Sequence, residues 1–225
     1  MRSLIAMISL VLLSACAGPM SSGDMAATRH IGVVSRLGNT VHLSSVGTTA
    51  FTNRYASAVV DDWQIDVTTG ISMVDYLNRT RSLNASRLDL PDTSSRRVAT
   101  DNEDAFWTAA SAKGFDRLVV IDGVDNAILP SMRAGYGLYE RFFFGSGRRC
   151  AYVSLKVSIY DVATRKTLAW DIGDVDPCLR GADYPVAVKD SFDAYSQSEQ
   201  QALRAQIQQT AFQTAKFTLE RLLPR

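Results

Sequence analysis

The chain has 225 residues, 24 Lys and Arg against 23 Asp and Glu, a formal charge of +1 and 46% hydrophobic residues. This is the make-up of a folded globular protein, and it excludes a disordered chain. Basic residues adjoin only in the pairs Arg96-Arg97, Arg148-Arg149 and Arg165-Lys166, so the electrostatic footprint of a nucleic-acid binder is missing.

Arg2 precedes an apolar run from Leu4 to Leu13, which is of signal-peptide length and well short of the ~20 residues that span a bilayer. Leu13-Ser14-Ala15-Cys16 follows and resembles the lipobox of bacterial lipoproteins. The resemblance implies cleavage before Cys16 and acylation of that cysteine, with several acyl chains giving a stable anchor. Ala17, rather than Asp, follows the cysteine, which by the sorting rule of that family implies the outer membrane. Residues 1–15 are therefore expected to be a signal peptide and 16–28 a lipidated flexible tether. Residues 29–225 are expected to form a single periplasm-facing domain, large enough for one substantial core.

His30 to Arg36 predicts a first strand and Thr40 to Val46 a second, with Gly38-Asn39 as a turn that would make them a hairpin. Ala56 to Val60 predicts a further short strand. From Asp62 the apolar spacing lengthens, and Trp63, Val67, Ile71, Val74 and Leu77 or Tyr76 predict one face of a helix interrupted by Gly70. A short strand is expected around Arg87 to Leu90. Asp101 should cap a second helix, with Glu103 and Asp104 in its first turn and Gly114 closing it. Leu118 to Ile121 has the continuous apolar pattern of a strand buried on both faces.

Ala151 to Asp161 alternates at period two and Thr167 to Ile172 returns, so the two form a long antiparallel hairpin. With the hairpin centred on Thr164, Cys150 and Cys178 fall opposite one another, at the separation of a cross-strand disulfide. A slip of one residue would leave two free buried thiols instead. Ser196 and Glu199 have capping-box spacing, and Leu203, Ile207, Ala211, Ala215, Leu219 and Leu222 form the apolar stripe of a long closing helix.

The fold class is thus α/β (α+β): a mixed sheet with a long antiparallel hairpin, helices packed on it and a closing C-terminal helix. Phe106 to Ile121 (helix, glycine, buried strand) and Val153 to Trp170 (hairpin) carry a resemblance to the amino-terminal domain of TolB and to the curli-secretion-channel lipoprotein family. Periplasmic lipoproteins that activate cell-wall synthases are related too. The resemblance rests on element order, and no functional motif of these families carries across.

Chemistry is sparse. His30 and His42 are the only histidines, and no serine lies in a Gly-x-Ser-x-Gly elbow. Asp171, Asp174 and Asp176 can offer oxygens to a hard cation, but their spacing matches no calcium loop. Gly135-x-Gly137 lacks the third glycine of a phosphate loop, with Glu140 in its place. No catalytic residue, metal or cofactor is assigned. The functional candidate is the aromatic segment with Tyr136, Leu138, Tyr139, Phe142, Phe143, Phe144, Arg148 and Arg149, read as a loop that either presents a partner-binding surface or folds back to complete the core. The expected function is that of a lipid-anchored accessory or assembly factor, which binds an envelope protein or glycan without catalysis. The alternatives are an envelope hydrolase using His30 or His42 and a homo-oligomeric secretion component.

Overall fold

The computed structural model describes residues 18–89, 103–126, 129, 131–143, 146–174, 176, 178 and 183–224. The leader, Cys16 and its lipidation, the helix cap at Asp101, and Phe144 lie outside the described residues. The strands are β1 (Ile31–Arg36), β2 (Thr40–Val46), β3 (Arg54–Val59), β4 (Ala85–Arg87), β5 (Arg117–Gly123), β6 (Gly135–Phe143), β7 (Ser146–Asp161) and β8 (Thr167–Ile172). They form one eight-stranded mixed sheet in the order β3-β2-β6-β7-β5-β1-β4, with β8 added to β7. The helices are α1 (Ser22–Ala26), α2 (Ile65–Thr80), α3 (Glu103–Ala112) and α4 (Gln197–Leu222).

The long strand β7 organises this sheet. Its first half pairs antiparallel with β6, and its second half pairs with β5 on one flank and β8 on the other. Gly123 ends β5 opposite Leu155, while Gly135 begins β6 opposite the adjacent Ser154, so β5 and β6 lie end to end along one flank of β7. A Cβ on Gly123 would stand 2.8 Å from the amide nitrogen of Gly135, which is how closely the two ends abut.

The same step is repeated one strand further out, and it overturns the hairpin expected for β1 and β2. β1 runs parallel to β5 and β2 runs parallel to β6, so the two strands follow one another without pairing. The cause is local. Gly38 takes a left-handed φ of 85°, and the Asp66 carboxylate accepts the Leu37 and Gly38 amides at 2.5 and 3.0 Å. Amides held by a side chain on α2 are not available to zip a hairpin.

One face of the sheet packs against α2 and α4 around Val33, Val41, Leu138, Val153 and Val157. On the other face, α3 covers Val34, Leu118 and Val120 through Phe106, Trp107 and Ala110. β5 is therefore buried on both faces, as its unbroken apolar pattern predicts. The α4 stripe from Leu203 to Leu222 is buried throughout, and Ser196 and Glu199 form the predicted capping box. The α2 face is shifted from expectation: Ile65, Thr69, Gly70, Met73, Tyr76 and Leu77 are buried, whereas Ile71 is exposed. Trp63 sits in a 3-10 turn before the helix, so a period counted from it drifts off the buried face at Ile71, while Leu77 and Tyr76 are buried and Val74 packs against the core. Residues 20–28, expected within the flexible tether, include α1, and Met20 is buried with its amide donating to the Leu222 carbonyl at 2.7 Å.

The Cys150–Cys178 disulfide is present. The β7–β8 register matches the sequence reading from Lys156↔Ile172 to Ile159↔Ala169. Cys178 is nevertheless no strand partner. β8 stops at Ile172, and the place opposite Cys150 on that flank is taken by Asp183. The bond staples a returning segment to β7 rather than closing a ladder.

Candidate functional site

The aromatic segment expected as a loop is the hairpin of β6 and β7, and its members are dispersed. Alternation sends Tyr136 and Leu138 to the α4 side, where both are fully buried and the Tyr136 hydroxyl donates to the Gly38 carbonyl at 3.0 Å. Tyr139 faces the opposite side and packs with Met132, Tyr152 and the disulfide. These three residues serve the core. Phe142 lies over Gly147 and remains 43% exposed near the hairpin tip. The side chains of Phe143 and Phe144 lie outside the described residues.

Arg148 and Arg149, expected beside a recognition surface, are held by acids of the fold. Arg148 donates to Asp176 at 2.6 Å and to the Cys178 carbonyl at 2.7 Å, which fixes the segment bearing the disulfide. Arg149 donates to Glu140 at 2.5 Å, and Glu140 is only 2% exposed. The Ser45 hydroxyl and the Val188 amide also donate to that carboxylate. A carboxylate in such a position requires a paired cation, so Arg149 is a structural counter-ion. Spacing alone does not reveal this pairing, because Glu140 and Arg149 are cross-strand neighbours only once the hairpin is known.

Two concave regions flank the start of β3. One, of about 470 Å³, is lined by Tyr55, Leu129, Arg133, Tyr139 and Arg141. Among the described residues its lining holds two guanidinium groups and no acid, which makes it an arginine- and tyrosine-lined groove. The other, of about 550 Å³, is lined by Phe51, Arg54, Phe142 and small polar residues. Arg54 there is ion-paired with Asp190 at 2.6 Å. Sequence reading misses Tyr55, Arg133 and Arg141, because they come from three separate segments that only the β2–β3 and β2–β6 pairings bring together.

The histidines occupy different halves of the sheet. His30 precedes β1, with its Nε2 3.0 Å from the Ser86 hydroxyl and its ring against Phe115. The neighbouring Asp116 carboxylate accepts the backbone amides of Arg29 and His30, at 2.8 and 3.1 Å. His42 lies in β2 between Ser57 and Gly137. Of the strand-end acids, Asp171 is paired with Arg221 and Asp176 with Arg148. Among the described residues, no group of three His, Cys, Asp or Glu side chains is placed to hold a metal ion.

Among the described residues, Asp66 is the one acid whose titration is strongly displaced. Burial pushes its carboxyl up to about 6, against the opposing pull of hydrogen bonds from Ser35, Leu37 and Gly38. It works as a clasp at the β1–β2 step.

No family model and no curated protein matches the chain. Among solved structures it is similar to the crystal structure of protein XCC0632 from Xanthomonas campestris, described under the family model DUF330. The TM-score is 0.40 at 11% identity, over 92% of this chain and 87% of that one. A likeness at this level carries no argument about function.

Proposed function

We propose that the chain is a lipid-anchored accessory factor of the cell envelope, facing the periplasm from the outer membrane, and that it acts by binding an envelope protein. The anchor rests on Leu13-Ser14-Ala15-Cys16. Among the described residues no helix is long and apolar enough to cross a membrane. The observation that carries the binding reading is the groove with Arg133, Arg141 and Tyr55, floored by the buried Tyr139. Arginine and tyrosine supply large contact area at low entropy cost, and their charge suits an acidic partner. Cross-linked capture from membranes tests it with the parent and an Arg133→Glu/Arg141→Glu variant. A partner recovered with the parent and lost from a variant of unchanged melting temperature supports the reading; identical recoveries would sink it.

The contact between His30 and Ser86 favours a second reading, a hydrolase in which the imidazole takes the serine proton. An ester or amide hydrolysis screen should then lose all signal in Ser86→Ala and in His30→Ala. Residual hydrolysis in both would reject it.

A further inference from the structure

We infer that β3 is a dimerisation edge, which pairs antiparallel with β3 of a second copy about a two-fold axis at Ser57. Among the described residues β3 pairs on one flank only, with β2. The Val60 amide donates to the Asn39 carbonyl at 2.7 Å, which shows that even-numbered residues turn their backbone groups toward β2. By alternation, Tyr55, Ser57 and Val59 point their N–H and C=O groups away from the sheet. Their side chains share one face, on which Tyr55 is 58% and Val59 65% exposed. From Tyr55 to Val59 the strand carries no charge and no proline, so it lacks the usual devices that keep an edge unpaired.

The occupant follows from register. With the dyad at Ser57, Tyr55 lies opposite Val59 of the second copy, and Val59 lies opposite its Tyr55. Each exposed aromatic thus meets an exposed β-branched side chain, a favourable cross-strand pair. Ala56 then meets Ala58, and every outward-facing residue of the strand has a partner. Moving the dyad to Ala56 would set Tyr55 against Ser57 and Val59 against Asn53, and would lose both pairs. Arg54, at the start of the strand, is held by Asp190 and so brings no unpaired charge to the edge. No like charges face one another along the strand. An acidic peptide added to this edge would use the outward backbone groups equally well, but it would not produce a dimer of the purified chain.

Sedimentation equilibrium of the mature chain over a wide concentration range is the test, with Ser57→Lys and Ser57→Cys beside the parent. The parent should show twice the monomer mass at high concentration. Ser57→Lys places like charges across the axis at an exposed position, and should weaken association by about tenfold or more with unchanged melting. Ser57→Cys should form a covalent dimer under mild oxidation much faster than the parent or an Ala58→Cys control. A parent that stays monomeric would overturn the inference. So would a Ser57→Lys variant that dimerises like the parent, or a Ser57→Cys chain that cross-links no faster than the controls. None of these outcomes depends on Arg133 and Arg141, so a failed dimer and a failed partner-binding groove remain distinguishable.

Discussion

At one end of the sheet β4 is three residues long, and the Asn78 side chain both accepts the Ala85 amide and donates to the Ala85 carbonyl, at 2.7 and 2.9 Å. A carboxamide from α2 thus occupies the place of a further strand, and Arg87, paired with Asp89, puts charge beside it. β8 is closed similarly, because Arg221 of α4 donates to the Ile172 carbonyl at 2.6 Å and pairs with Asp171. β3 at the opposite end is six residues long, and no residue past Arg54 in it carries charge. Side chains of α2 and α4 finish two edges and leave the third bare. The proposed dimer edge and the proposed partner groove both lie at that unfinished end of the molecule.

The largest effect is expected where the open end is joined to the rest. β2 and β3 depend on the parallel pairing of β2 with β6, and a Cβ on Gly137 would stand 1.9 Å from the His42 carbonyl oxygen. Backbone cannot yield as a flexible side chain does, so Gly137→Ala should cost about 4 kcal/mol, the upper range for single substitutions. Urea unfolding followed by circular dichroism measures it. A loss below about 1 kcal/mol would mean the two halves are joined more loosely than the packing indicates.

The disulfide is the second joint on that side. Cys150 and Cys178 are 28 residues apart, and loop-closure entropy makes the bond worth about 3 kcal/mol. Replacing both by Ala should lower the urea midpoint accordingly. Because the bond covers Tyr139 and Met132, the change should also loosen the floor of the groove, while α3 and its contacts stay protected from hydrogen exchange.

How far the sequence shows this asymmetry depends on how local each signal is. The α4 stripe, its capping box, the doubly buried β5 and the β7–β8 register are readable because each is decided by residues within a few turns of one another. The β1–β2 step is not readable. Gly38-Asn39 is a good turn signal, and what overrides it is a carboxylate from another element, Asp66. The aromatic segment misleads for a related reason. Its glycines suggest a loop, yet Gly137 is there to let β6 approach β2, and its tyrosines alternate between two separate cores. The candidate groove assembles Tyr55, Arg133 and Arg141 from three segments, and spacing within any one of them does not specify which strands become neighbours.

Asp66 gives a pH handle on that step. With a folded pKa raised to about 6 from a usual 3.8, the native state holds the proton more tightly than the unfolded chain. Its contribution is fully present below about pH 4, is lost as pH rises toward 6, and changes little beyond; two pKa units set its size at no more than about 3 kcal/mol. Asp66→Asn keeps the Oδ1 acceptor for the Ser35 hydroxyl and the Leu37 amide, loses the Oδ2 acceptor of the Gly38 amide, and cannot ionise. The variant should gain stability relative to the parent between pH 4 and pH 7, and a carboxyl resonance titrating near 6 in the parent should disappear. Parallel stability curves across that window would show that the step carries no buried charge.

The smallest effect concerns the closed edge itself. Asn78→Ala leaves the amide and carbonyl of the buried Ala85 without their side-chain partners, and a net loss of about 1–2 kcal/mol is expected. The informative version places it in the Ser57→Lys background, where β3 is disabled. If the carboxamide alone keeps that side solitary, the double variant should regain concentration-dependent association through β4. If shortness is the stronger protection, it should lose stability and remain a monomer. Three residues offer few ladder bonds to repay association entropy, so the monomer is the expected result. A dimer of the double variant would instead assign the difference between the two ends of the sheet to one side chain on α2.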